Sequence, residues 1–324
     1  MAGGEVEAVD RLCAKYLYYY LKLYMKRSTD RQHGAIEKFF HLSDFTDIEV
    51  NFPSVEEQRL VADSLWAIDR KIALNRKRIA TLEAMAKEIY DYWFVQFDFP
   101  DAHGRPYKSS GGEMVYNPDL KREIPKGWEV VGIEEVCDVV DCLHSKKPEF
   151  CFESEKSYLL TLENLTKDGY VDVANKFYIS RNDYKSWIRN IEVRENDFVI
   201  TNAGRAGDIV RIPRGIVCAA GRNMTVVRPR SIDPSYLRAF FYGEFTRAQI
   251  SGGLEMGSLF ANFNVRTIKR LRILVPPRDI LEGLYLPMSD IVTQTDVYGA
   301  ESVRLIALRE FLLPLLMNGQ VKVG

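Results

Sequence analysis

Residues 198–207 read Phe-Val-Ile-Thr-Asn-Ala-Gly-Arg-Ala-Gly, an apolar strand running into a turn with Gly204 and Gly207. Glycine lets backbone come close to a phosphate, and Thr201, Asn202 and Arg205 carry donors for its oxygens. Arg222-Asn223 follows, an arginine able to grip guanine beside an asparagine able to grip adenine. Residues 201–230 hold six arginines (205, 211, 214, 222, 228 and 230) against one acid, Asp208. The same pattern fits a tight β-turn with a surface arginine, and the Thr201 hydroxyl could serve only to cap it. Lys146 and Lys147 could position a phosphate or stand solvated. Arg181, Lys185 and Arg189 recur every four residues and would share a helix face. Gly257 reads as a turn, with Ser258 as a possible contact.

Other chemistries have less behind them. Asp101, Asp119 and Lys121 outline a divalent-metal nuclease site, but they sit in a stretch rich in proline and glycine. Cys137, Cys142, His144 and Cys151 could be forced into a zinc site, yet the Cys-x-x-Cys pair usual in structural zinc is missing. The odd total of five cysteines suits a reducing compartment. No G-x-G-x-x-G or Asn-Pro-Pro-aromatic motif for methyl transfer occurs. Net charge is −1, so any nucleic-acid contact must come from local charge. No run approaches the ~20 apolar residues that span a bilayer. The small, acidic first ten residues resemble neither a signal nor a transit peptide. The expectation is a cytosolic protein.

Two long helices must position these groups. Alternate steps of four and three from Val61 give Val61, Leu65, Ile68, Ile72, Asn75, Ile79, Leu82, Ala86, Ile89 and Trp93, apolar except at Asn75. That is the period of a coiled-coil seam, and one buried asparagine commonly fixes its register. A helix over residues 56–94 would be roughly 58 Å long. A second seam, Leu284, Ile291, Tyr298, Leu305 and Leu312, is interrupted by Thr295 and Ser302 at companion positions. Pro287 and Pro314 predict distortion near its two ends. Each seam follows a similar series. Tyr16-Leu17, the turn at residues 33–36, the strand at 48–52 and Pro53 match Tyr236-Leu237, residues 256–259, 271–275 and Pro276-Pro277. The offset is 220 residues at the Tyr-Leu pair and about 223 at the proline, which points to a duplication. Residues 98–127, punctuated by proline and glycine, read as extended loop. Trp128 opens a β-rich region with strands expected at 157–162, 197–201, 209–212 and 224–228. The fold class is therefore α+β, a mostly-β domain mounted on long helices whose seams pair with each other or across a dimer. Of Tyr18, Tyr19 and Tyr20, at least one should be packed.

Three segments resemble the specificity subunit of type I restriction–modification systems. They are Phe52-Pro53-Ser54-Val55-Glu56-Glu57-Gln58, the stretch from Tyr92-Trp93-Phe94 through Pro106-Tyr107 to Lys126-Gly127-Trp128, and Leu308 to Gln320. The resemblance implies target-recognition domains alternating with helical spacers that pair antiparallel as a coiled coil. It divides the chain into a partial recognition domain (1–53), a first spacer helix (54–97), a linker (98–127), a complete recognition domain (128–277) and a second spacer helix (278–324). It implies sequence-specific recognition of a half-site in double-stranded DNA, with no catalysis in this chain. Methyltransferase (modification) subunits would bring S-adenosylmethionine, and a motor-nuclease (restriction) subunit would join for cleavage. The Pro-Glu-Gln motif is absent at the second spacer, where Arg278-Asp279-Ile280 follows Pro277. The repeat offset sets Met1 opposite Gly221, leaving residues 128–220 without a counterpart; a homodimer could supply the second recognition domain, the rival being a monomer whose N-terminal fragment packs on its own spacer.

Overall fold

The computed structural model describes residues 12–31, 52–142, 148–151, 157–166, 169, 171–172, 176–256 and 261–323. In chain order the elements begin with α1 (Ala14–Arg31), α2 (Val55–Tyr90), β1 (Met114–Asn117), β2 (Arg122–Pro125), β3 (Glu129–Gly132), the helical turn α3 (Ile133–Val136) and β4 (Cys137–Asp141). There follow β5 (Phe150–Cys151), β6 (Tyr158–Leu160), β7 (Phe177–Ile179), α4 (Arg181–Trp187), β8 (Phe198–Thr201), β9 (Ile209–Arg211), β10 (Ala219–Ala220) and β11 (Met224–Pro229). The last are α5 (Pro234–Tyr242), α6 (Glu244–Gly252), β12 (Glu255–Met256), β13 (Ala261–Asn262), α7 (Val265–Lys269), β14 (Arg272–Val275) and α8 (Arg278–Met317). The chain forms two compact units, one of Met1–Lys77 with Gly299–Gly324 and one of Arg78–Tyr298. Among the described residues no helix is long and apolar enough to cross a membrane.

The first unit is helical. Tyr16, Tyr19 and Leu23 of α1 pack with Val61, Ala62 and Leu65 of α2 and with Leu313, Leu316 and Met317 of α8. The start of α2 explains the Pro-Ser-Val-Glu-Glu-Gln segment. Ser54 caps the helix by accepting the Glu57 N–H (3.3 Å), while the Glu57 carboxylate accepts the Ser54 N–H and hydroxyl (3.1 and 2.9 Å). Buried Gln58 accepts the Cys13 N–H (2.8 Å) and donates to the Pro53 carbonyl (2.9 Å), tying α1 to this turn. Asn75 is fully buried and donates to Glu301 (2.8 Å), which also pairs with Lys71 (3.1 Å); Asp69 pairs with Arg309 (2.5 Å). Residue numbers fall along α2 as they rise along α8, so the two helices run antiparallel here.

The second unit repeats that direction in its own stretches of the two helices. Arg78 lies over the Tyr298 ring (5.1 Å), and a Cβ at Gly283 would touch Trp93 (3.5 Å). Along the predicted seams, Val61, Leu65, Ile72, Asn75, Ile79, Leu284 and Ile291 are buried. Ile68, Leu82, Ala86, Ile89, Trp93, Tyr298, Leu305 and Leu312 are half-buried. On α8 the companion positions Met288, Thr295, Ser302 and Leu316 are all buried, so the polar interruptions lie inside. Helix α8 runs through both Pro287 and Pro314. The lost backbone hydrogen bonds are offset by burial of Leu284, Met288, Leu313 and Leu316 beside them.

Two four-stranded sheets, ordered β10-β6-β7-β5 and β4-β11-β8-β9, form the strand-rich part of the second unit. β10 and β6 are parallel; every other pairing is antiparallel. Between the sheets pack Tyr158, Leu160, Val193, Val199, Val210, Cys218, Met224 and Val226. The other core joins Phe198 and Ile200 to Tyr236, Phe240 and Phe241 of α5, and to Leu284 and Met288 of α8.

Residues 98–127 correct the reading of extended loop. They hold the β1–β2 hairpin, and Phe97, Phe99 and Ile124 are buried. Phe99 stacks on Tyr107 (4.7 Å) and Trp128 (5.0 Å), and Asp98 accepts two hydrogen bonds from Ser109 (2.7 and 2.6 Å). The prolines and glycines mark the corners of this folded piece. Helix α4 ends at Trp187, so Arg189 does not share a helix face with Arg181 and Lys185. Tyr19 is buried, Tyr20 half-buried and Tyr18 half-exposed. The turn at 33–36, residues 48–51 and the Gly257 turn lie outside the described residues.

Candidate nucleic-acid interface

One edge of the strand-rich unit gathers several chain ends. β8 ends at Thr201, opposite Met224 at the start of β11, and Asp141 at the end of β4 faces Thr225. The Asn202 N–H donates to the Asn223 carbonyl (2.8 Å), and the Phe263 N–H donates to the Asn202 carbonyl (2.7 Å). The Gly221 N–H donates to the Leu160 carbonyl at the end of β6 (2.8 Å), and the Cys142 N–H to the Met224 carbonyl (3.1 Å). The β8–β9 turn and the β10–β11 turn are thus neighbours. Cys142, just after β4, lies beside them.

Within the β8–β9 turn the sequence reading is corrected. Thr201 is fully buried; its hydroxyl donates to the Arg205 carbonyl and accepts the Asp208 N–H (3.0 Å). Asn202 is buried as well, its amide donating to Thr225 Oγ1 (2.9 Å) and the Phe263 carbonyl (2.8 Å). Arg205 Nη2 donates to the Leu162 and Leu165 carbonyls (2.7 and 2.6 Å), and Nε lies 3.4 Å from Asp208. These three side chains build the turn, because buried polar groups must be satisfied and the nearest donors and acceptors are internal. Gly204 and Gly207 have φ of +83° and +86°, and their open sides face Leu162 and Ile250. They serve close packing, not the approach of a phosphate.

The β10–β11 turn differs. Arg222 is exposed and has no ion-pair or hydrogen-bond partner among the described residues. Asn223 is half-buried in the left-handed region (φ +61°), which asparagine tolerates. Gly221 is required there, since a Cβ would stand 2.4 Å from the Leu160 carbonyl oxygen. Asn262, bridged to Ala203, is exposed at the same edge, as is the acid Glu163. Nothing in the local sequence marks Asn262, because long-range pairing alone brings it there. Lys146, Lys147 and Ser258 lie outside the described residues.

Most of the arginine excess is consumed by the fold. Arg211 pairs with Asp296, Arg228 with Asp197 (2.6 Å) and Arg230 with Asp138 (3.3 Å). The alternative sites find little support. Asp101 accepts from the His103 and Arg105 N–H groups (2.8 and 2.9 Å), while Asp119 pairs with Arg272 (3.5 Å). Lys121 occupies a left-handed turn (φ +51°). No group of three potential metal ligands occurs among the described residues. Cys137 and Cys142 bracket β4, about 16 Å apart along an extended strand and too far to share an ion. Burial pushes their thiols up to about 12 and about 11, so both remain protonated. His144 lies outside the described residues.

A family model described as "Type I restriction modification DNA specificity domain" matches residues 5–84. The type I restriction enzyme MjaIX specificity subunit of Methanocaldococcus jannaschii is 24% identical over 97% of this chain and 70% of its own length. The HindI specificity subunit of Haemophilus influenzae is 19% identical over 92% of this chain and 74% of its own. Among solved structures, the type I restriction–modification S subunit from M. genitalium aligns with 94% of this chain and 73% of its own, at 16% identity and a TM-score of 0.48. The family model takes in α1 and most of α2, and the relatives span nearly the whole sequence. By sequence, the chain is similar to the specificity subunits of type I restriction–modification systems.

Proposed function

We propose that this chain reads DNA sequence for a type I restriction–modification complex, at the edge formed by the β8–β9 and β10–β11 turns. Arg222 is the observation that carries the placement. It is exposed, without a partner among the described residues, and carried on a backbone that Gly221 and Asn223 fix in a tight turn. A guanidinium held this way can grip guanine O6 and N7, and Asn223 stands beside it. Thr201, Asn202 and Arg205 support that edge from within. Modification subunits bring S-adenosylmethionine and methylate the sites this chain selects, and a restriction subunit joins the same assembly. A homodimer would offer two copies of the edge in opposite orientations, and the mass of the chain in solution tests it.

The test is a duplex library with randomised positions, methylated by the full chain assembled with modification subunits and then sequenced. Arg222→Ala is expected to relax base preference at one position and to cost about 1–3 kcal/mol in binding to the preferred site. An unchanged preference profile and unchanged affinity would remove this edge from the interface.

A further inference from the structure

The β8–β9 turn is held from behind by a stack of side chains that the recognition reading does not use. Helix α5 carries Arg238 and ends at Tyr242, and α6 carries Arg247. The guanidinium groups of Arg238 and Arg247 lie over the Tyr242 ring, 5.9 and 5.4 Å from its centre. Beyond the stack, Arg238 pairs with Glu83 of α2 (2.6 Å). Arg247 Nη1 donates to the Gly207 carbonyl (3.4 Å), and the Tyr242 hydroxyl lies 3.2 Å from the Ile209 carbonyl oxygen and 3.4 Å from that of Gly169. Gly207 and Ile209 are the closing residues of the turn. Two residues further, Arg211 pairs with Asp296 of α8 and donates to Asn196 (2.8 Å). Each long helix thus contributes one carboxylate that pairs with an arginine, Glu83 with Arg238 beside Tyr242 and Asp296 with Arg211 at the end of β9.

We infer that Tyr242, with the guanidiniums of Arg238 and Arg247 over its ring, is a positioning residue that sets the β8–β9 turn, and with it the neighbouring Arg222 turn, relative to the long helices. The inference rests on the DNA reading of that edge. Tyr242 brings no charge to a phosphate and spends its hydroxyl on protein carbonyls. Its loss therefore acts on the geometry of base reading and leaves the number of phosphate contacts unchanged. Base pairing of arginine with guanine needs two aligned hydrogen bonds, whereas contact with a phosphate tolerates displacement.

Tyr242→Phe keeps the ring against the guanidiniums and removes the hydroxyl. In the randomised-library assay with the assembled complex, it is expected to lower the preference for the favoured base about five- to tenfold at one or two positions. The salt slope of binding to a scrambled duplex stays as in the wild type, and amide exchange at residues 207–209 speeds up. Arg247→Gln should act in the same direction, and it provides the test if the first variant melts early. Loss on favoured and scrambled DNA alike, or wild-type preference and exchange in both variants, would overturn the inference. Arg222→Ala is run alongside. If it alone changes the profile, the positioning role falls and the DNA reading stands. If Arg222→Ala changes nothing, the reading of this edge falls on its own result.

Discussion

Replacing Asp69 with asparagine tests the joint that holds the helical unit together. The carboxylate accepts the hydroxyl of fully buried Tyr19 (2.6 Å) and pairs with Arg309 (2.5 Å), which also reaches Glu310 (2.9 Å). Burial raises the Asp69 pKa, but the hydrogen bonds from Tyr19 and Arg309 outweigh it and hold the group below its ordinary range. A depressed carboxylate pKa contributes stability above the unfolded value, and that stability is lost as pH falls through the folded value. The side chains of Asp69 and Arg309 are 23% and 16% exposed, between a surface pair worth up to about 1 kcal/mol and a buried one costing about 3–5 to break. Asparagine keeps an acceptor for Tyr19, so the expected loss is about 2 kcal/mol near neutral pH, or about 5 °C in midpoint. Thermal unfolding followed by circular dichroism, in steps from pH 7 downward, measures it. The gap between wild type and variant should shrink below about pH 4, where free aspartate protonates. Equal midpoints at pH 7, or a gap that grows on acidification, would refute the reasoning.

Two other substitutions probe the framework. Ile79→Glu puts a charge at a position 7% exposed on α2, so a loss of several kcal/mol and of helical signal is expected, read by circular dichroism; a variant as stable as the wild type would mean the seam is open there. Gly221→Ala forces a Cβ to within 2.4 Å of the Leu160 carbonyl oxygen, so roughly 2–3 kcal/mol should be lost in urea unfolding, and wild-type stability would show that the β6–β10 pair yields readily.

The long helices were legible because a repeat of 3.5 residues is a property of the sequence alone, from Val61 through Ile79. Which α8 line is most buried was not. Thr295 and Ser302 look like defects in an apolar seam, yet they are inside, and the partner that the Asn75 amide donates to, Glu301, is 226 residues away. The hairpin of residues 98–127 was hidden by composition. Proline and glycine mark corners equally in loops and in folded hairpins, and only the meeting of Phe99, Tyr107 and Trp128 distinguishes them. In the β8–β9 turn, the donors were assigned to acceptors outside the chain, whereas the fold supplies acceptors from within. Thr201, Asn202 and Arg205 spend their hydrogen bonds on carbonyls and on Thr225, groups that no local pattern places nearby.

The fate of the arginines bears on how the chain holds DNA. Six arginines in residues 201–230 suggest a strong positive field. The acids that answer three of them, Asp138, Asp197 and Asp296, come from elsewhere in the chain. Of the six, only Arg214 and Arg222 are without a partner among the described residues, and they belong to different turns. Each phosphate neutralised on B-DNA contributes about −0.9 to the slope of log affinity against log salt. A described edge with one open arginine thus supports a slope of about −1 from its own cations, far short of what tight binding by phosphate contacts alone requires. On the proposed reading of this edge, specific affinity would draw on base contacts and on cations outside the described edge. Such a division separates choosing a site from holding DNA, in keeping with a net charge of −1 for the chain as a whole.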